Sequence, residues 1–208
     1  LLYYIMLKLH FSSNSRAQRI LWLLKELKLP FELNNIKFHP SELKSEEHRK
    51  RHPLGRVPVL EDNNIIIYES GAIVEYLIER HSDGKFKPKS NEELFPKYLQ
   101  WLHYCEGMIM PPMNTIVVHT LILPEERRDE EVLRQATKLI KKALVPVNDI
   151  LKKDQYLIGP LSGVDFMLGH SLFMSHKLGC VDVELKNIHA YIDLLNSREA
   201  FRLAINTK

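Results

Sequence analysis

The stretch HPLGRVPVLEDNNIIIYESGAIVEYL, residues His52 to Leu77, decides how this chain folds. A turn containing Gly55 feeds the short apolar run Val57 to Leu60, the Asp62-Asn63-Asn64 cluster reads as a hairpin turn, and Ile65 to Tyr68 reads as the returning strand. Glu69-Ser70-Gly71 then opens a helix that runs to His81. Pro58 falls inside what reads as a strand, where a missing N–H is tolerated only at an edge, a strand start or a special turn. A cis Val57-Pro58 bond presents the N–H and C=O of Val57 outward, ready to pair with an extended peptide; an ordinary trans turn is the alternative. At Glu69 and Ser70 a strand ends and a helix starts, so unpaired backbone donors and the positive end of the helix dipole face one spot. That spot suits a carboxylate, although Ser70 read alone is a helix cap.

Working upstream, Met6 to Phe11 alternates as a strand, and Ser12-Ser13-Asn14-Ser15 breaks the pattern with small polar residues. Apolar residues at Ala17, Ile20, Leu21, Leu23, Leu24 and Leu27 recur at helical spacing, which places a helix from about Ser15 to just before Pro30. Phe31 to Ile36 makes a second strand, and strand–helix–strand at this length is a right-handed crossover with parallel strands. Ser41 to Arg51 is charged and weakly periodic, which predicts a short exposed helix. The whole first part is a layered βαβαββα unit. Its first loop stands at the C-terminal end of a central strand and the N-terminus of a helix, where an anion is stabilised. The first half contains no cysteine, so thiol–disulfide exchange lacks its nucleophile there. What the loop offers is the hydroxyl of Ser15 and the amide of Asn14, either a hydrogen-bond donor to a ligand or a plain helix cap.

Together, in this order and spacing, HPLGRVPVL and YESGAIVEYL resemble the glutathione-binding segment of the glutathione S-transferase family, PxGxVPxL followed by a hairpin and ESxAIxxYL. The loop and first helix, NSRAQRILWLLKEL, are similar to the NSRxxRxLWLLEEL stretch of certain bacterial and fungal members, of a serine or asparagine type. The resemblance implies a thioredoxin-like N-terminal domain over residues 1–83, a linker over 84–90 and an all-helical C-terminal domain over 91–208. It implies glutathione as co-substrate, with no metal. Ser15, or else Asn14, then favours the glutathione thiolate. Val57 pairs with the tripeptide backbone, Glu69 takes its ammonium end, Ser70 takes the γ-glutamyl carboxylate, Arg56 reaches the glycyl end, and His52 lines the rim. Tyr3 and Tyr4 fall too early in the strand for the tyrosine role of other members. His48 and His52 are four apart, but Pro53 and the lack of a third ligand argue against a metal there.

Composition is ordinary for a soluble globular protein. The 208 residues suffice for one large or two small domains, with 45% hydrophobic and 26% charged content. A formal net charge of +3, with basic and acidic residues interleaved, does not indicate nucleic-acid binding. Two cysteines, Cys105 and Cys180, far apart in sequence, give no disulfide framework and point to a reducing, cytoplasmic setting. No apolar run approaches the roughly 20 residues of a spanning helix.

Downstream, SDGKFKPKS reads as the linker. Helical patterns follow over Glu93 to Val118, kinked or split by Pro111-Pro112, and over Glu125 to Lys153, bent at Pro146. In GPLSGVDFMLGHSLF, Ser162 and Asp165 have capping-box spacing ahead of a buried helix. The family has the same box as SxADxxL, which assigns Asp165 to folding. Ile188 to Leu195 and Arg198 to Ile205 are two closing helices. Phe11, Tyr104 and Met108 are candidates for the second-substrate pocket, against the plain reading that apolar residues at helical spacing form core. The expected activity is conjugation of glutathione to a hydrophobic small-molecule electrophile by a homodimer, in detoxification or stress response. The alternative is a non-catalytic or weakly peroxidatic glutathione-binding module on the same scaffold.

Overall fold

The computed structural model describes residues 7–208. Tyr3, Tyr4 and Met6 lie outside the described residues. The first unit comprises the chain up to Phe86 together with Leu195–Lys208, and the second comprises Lys87–Leu194.

In the first unit, strands β1 (Leu7–Phe11), β2 (Phe31–Asn35), β3 (Val59–Asp62) and β4 (Ile65–Tyr68) form one sheet in the order β2-β1-β3-β4. β1 runs parallel to β2, as a crossover through helix α1 (Ala17–Glu26) demands, while β1–β3 and β3–β4 are antiparallel. Strand alternation buries Leu7, Leu9 and Phe11 completely or nearly so. α1 contributes Ile20, Leu21, Trp22, Leu23 and Leu24, all fully buried or nearly so. Each such side chain contributes about 1.5–3 kcal/mol of transfer free energy before entropy is charged against it. The β4 edge is different: Ile65, Ile66 and Tyr68 remain 40–49% exposed.

The charged segment expected to be one exposed helix is two short ones, α2 (Pro40–Leu43) and α3 (Glu46–Arg49). Each has its own cap. His39 Nδ1 accepts from the Ser41 N–H at 3.2 Å, and Ser45 Oγ accepts from the His48 N–H at 3.2 Å. His48 on α3 is buried. α4 (Ser70–His81) follows the hairpin and completes the βαβαββα arrangement.

The second unit is helical: α5 (Phe95–Tyr104), α6 (Met110–Val117), α7 (Glu130–Ile150), α8 (His170–Lys177) and most of α9 (Lys186–Ser197). The break expected at Pro111-Pro112 comes earlier in the chain, as a π-helical turn over Cys105–Ile109, and the prolines occupy the start of α6. Prolines have no N–H to give, so the first turn of a helix is where they cost least. α7 starts at Glu130 rather than Glu125, because the Asp129 carboxylate accepts from the Val132 N–H at 3.0 Å and fixes the end. At the capping box, the buried Asp165 carboxylate accepts from the N–H groups of Leu157 and Ser162, from Ser162 Oγ and from the Tyr191 hydroxyl. Burial raises its pKa to about 6 against those four donors.

The last helix, α10 (Glu199–Asn206), belongs to the first unit rather than to the helical half in which the sequence placed it. Phe201 meets Trp22 edge to face at 4.8 Å, Gln18 Nε2 donates to the Ile205 carbonyl at 3.1 Å, and Arg198 forks onto Glu26 with two bonds of 2.8 Å. The helix thus covers the outer face of α1.

Candidate active site

Sheet register brings the expected site segments together within the first unit. His10 pairs with Val59 at the end of the antiparallel β1–β3 ladder, so the chain enters β3 through Val57-Pro58 at the same end of the sheet where β1 leads through Phe11 into the Ser12–Ser15 loop. The Val57-Pro58 bond is cis, and among the described residues neither the N–H nor the C=O of Val57 has a hydrogen-bond partner. An open main-chain pair beside a polar loop can receive an extended peptide.

The turn ahead of Val57 is held by three groups. His52 Nδ1 accepts from the Leu54 N–H at 3.2 Å, and its ring lies on Tyr68 at 4.5 Å between centroids. Burial lowers the His52 pKa, against the opposing influence of the Glu69 charge. His48 Nε2 donates to the Arg56 carbonyl at 2.8 Å, fixing the residue before Val57. At Gly55, with φ +57, a Cβ would stand 2.2 Å from the Leu43 carbonyl oxygen, so only glycine allows the close approach of α2 to this turn. Arg56 is exposed above it. The turn is anchored to the sheet by a further network: His10, buried and held neutral by that burial, donates from Nε2 to Glu61 at 2.7 Å and accepts at Nδ1 from Asn34. Arg51 shares the same Glu61 oxygen at 2.7 Å.

At the second segment, Glu69 is exposed and carries φ 74, ψ 114, a conformation costly for a residue with a side chain. It sits immediately before the first residue of α4, so Ser70 is that first residue rather than the cap. Ser70 is buried, and its Oγ accepts from Nη1 of Arg19 at 2.9 Å. Arg19 is fully buried on α1. This bond joins the first turns of two helices, α1 and α4, so both N-terminal dipole ends lie within one side chain of each other.

In the loop that opens α1, Ser15 Oγ donates to the Ser12 carbonyl at 2.6 Å and accepts from the Ala17 N–H at 3.1 Å. Asn14 is exposed with φ 54, and its amide nitrogen makes a long contact of 3.4 Å with Ser13 Oγ. The remaining expected residues are placed within their own units. Phe11 is sealed in the sheet core with no surface to offer, the Tyr104 hydroxyl donates to the Ala143 carbonyl at 2.9 Å, and Met108 keeps 52% of its surface exposed. Sequence reasoning passed over Arg19 and gave His48 no structural role. Arg19 follows Gln18 at the head of the apolar run Ile20–Leu24, and its place as the second arginine of the NSRxxR stretch is the signal that could have singled it out.

Residues 6–79 match the family model for the glutathione S-transferase N-terminal domain. The chain is 30% identical to glutathione S-transferase hmp2 of Hypomyces subiculosus, over 74% of this chain and 75% of that protein. The chain belongs to the glutathione S-transferase family. Glutathione S-transferase 3 of Schizosaccharomyces pombe is 27% identical over 96% of this chain and 86% of its own length. Among solved structures, the theta-class glutathione S-transferase of Xanthomonas axonopodis pv. citri, with glutathione bound, has the same fold with a TM-score of 0.87 at 20% identity, covering 98% of this chain and 99% of that one. The function of a glutathione transferase follows from this membership. Among the described residues no helix is long and apolar enough to cross a membrane.

Proposed function

We propose that this glutathione S-transferase is of the serine-or-asparagine type and binds glutathione along Val57, with the γ-glutamyl carboxylate at the start of α4 and the sulfur at the Asn14–Ser15 loop. The observation that carries the reading is the unpartnered main chain of Val57, at the end of the β1–β3 ladder from which the loop that opens α1 departs. Glu69 faces the ammonium group, and Arg56 serves the glycyl end.

The sulfur is activated by hydrogen bonding, not by a protein nucleophile. Ser15 holds its proton on the Ser12 carbonyl, and rotation about Cβ–Oγ swings it onto a sulfur lying above the loop. Asn14 offers amide protons from the neighbouring position. A free thiol titrates near 8.5, and lowering that by about two units takes roughly 2.7 kcal/mol, within the range of one charge-assisted hydrogen bond plus a helix terminus. The thiolate then attacks the electrophilic carbon of an apolar second substrate. A C–S bond forms, the leaving group departs with its electron pair, and the thiol proton has already passed to solvent. The working unit is a homodimer in the cytoplasm, as resemblance to the family suggests, and its role is detoxification.

Conjugation of glutathione to 1-chloro-2,4-dinitrobenzene tests this in the wild type, Ser15→Ala and Asn14→Ala. Loss of about tenfold or more in kcat/KM in one variant, with glutathione binding retained, supports the mechanism and names the donor. Full activity in both variants contradicts it. A wild type that binds glutathione without turnover supports the module reading instead.

A further inference from the structure

We propose that Arg19 is a positioning residue for carboxylate recognition: its buried guanidinium orients the Ser70 hydroxyl so that its proton points at the γ-glutamyl carboxylate, and supplies the positive charge behind that contact. The inference rests on the glutathione-binding reading above and extends it to the second arginine of the NSRxxR stretch, which that reading leaves without a role.

The geometry is asymmetric. A guanidinium has only donors, so in the 2.9 Å bond from Arg19 Nη1 the Ser70 oxygen can only accept. The hydroxyl proton therefore cannot point toward Arg19. Among the described residues it has no acceptor elsewhere, although Ser70 is buried. A buried hydroxyl with one lone pair occupied by a cation and an unassigned proton is polarised toward an incoming acceptor. The first turn of α4 adds backbone N–H groups and its dipole end at the same place. An anion there meets the Ser70 O–H and the helix terminus, with a full positive charge one hydroxyl away in a region shielded from water. Arg19 itself need not touch the ligand. It comes from α1, the helix whose opening loop carries Asn14 and Ser15, so the same helix serves both ends of the tripeptide.

The test compares glutathione with its analogue lacking the α-carboxylate of the glutamyl residue, 4-aminobutanoyl-cysteinylglycine, by calorimetry on the intact protein. Wild type is expected to prefer glutathione strongly. Arg19→Met, which keeps the length and removes charge and donors, is expected to lower that preference about tenfold or more, mostly through weaker glutathione binding. Arg19→Lys, which keeps the charge, is expected to recover part of it. Ser70→Ala combined with Arg19→Met is expected to lose little beyond the larger single effect, because the two act as one unit. An unchanged preference in Arg19→Met and in Arg19→Lys, with only thermal stability reduced, overturns the proposal and leaves Arg19 a packing residue. Each variant is its own control, since both ligands meet the same folded protein. If wild type takes up neither ligand, the glutathione-binding reading itself fails, a result separate from loss of preference in the variants.

Discussion

The imidazole of His48 donates from Nε2 to the carbonyl oxygen of Arg56 at 2.8 Å, tying α3 to the residue just ahead of the open main chain at Val57. His48 is buried, so removing the donor strands a carbonyl. His48→Ala should cost about 1–3 kcal/mol of stability. It should also weaken glutathione binding several-fold by loosening Val57, while leaving the pH dependence of the thiol unchanged. Calorimetric binding and urea melts check both.

Gly55→Ala should be more severe than a typical surface change. A Cβ there meets the Leu43 carbonyl oxygen at 2.2 Å, and φ +57 is unfavourable for alanine. The turn must move, with a cost on the order of 2 kcal/mol or more. Glutathione binding should fall in parallel with the melting temperature, in contrast to Arg56→Ala, which removes only an exposed side chain and should lower binding without destabilising.

Stability should depend on pH through groups of opposite sign. His10 and His52 are both held below 6.5, chiefly by burial, so the stability they contribute is present above that value and lost as pH falls through their depressed folded values. The first unit should therefore lose stability as pH falls below 6.5. Asp165 behaves in the opposite way. Its folded pKa, raised from 3.8 to about 6, makes its contribution complete below 3.8 and lost as pH rises through about 6. The stability difference between wild type and Asp165→Asn should shrink across that window and stay flat above it. Urea melts over the same range test this. Asp165→Ala strands four donors and should cost about 3 kcal/mol or more.

The hairpin and α4 were legible in the sequence because turn residues and apolar alternation act locally: Asn63-Asn64 can do little but turn, while Asp62, expected in the turn, ends β3, and Val59 and Leu60 must be covered. The place of α10 was not. Phe201 and Ala204 announce an apolar face, but nothing in the spacing says that Trp22 on α1 is what covers it. The same limit explains the π-helical turn before Pro111, where the ladder yields ahead of the residues that cause the break. Around the candidate site, the position of Val57 ahead of a strand and of Glu69 and Ser70 at a helix start could be read, because turn and helix-end signals are local. That Arg19 and His48 are buried was not legible, because a polar residue on a helix normally faces water and only tertiary structure shows these two inside. His52 was expected at the ligand rim; its ring accepts from the Leu54 N–H and rests on Tyr68, contacts that the spacing does not announce.

Amide chemical shifts of the 15N-labelled protein during titration with glutathione test the central claim most directly. The account predicts that the amides of Val57 and Ser70, with those of Asn14 and Ser15, move together on one saturation curve, while core amides of the helical unit such as Leu144 and Ile188 stay in place. Saturable shifts confined to other residues, or none at millimolar glutathione, would contradict it.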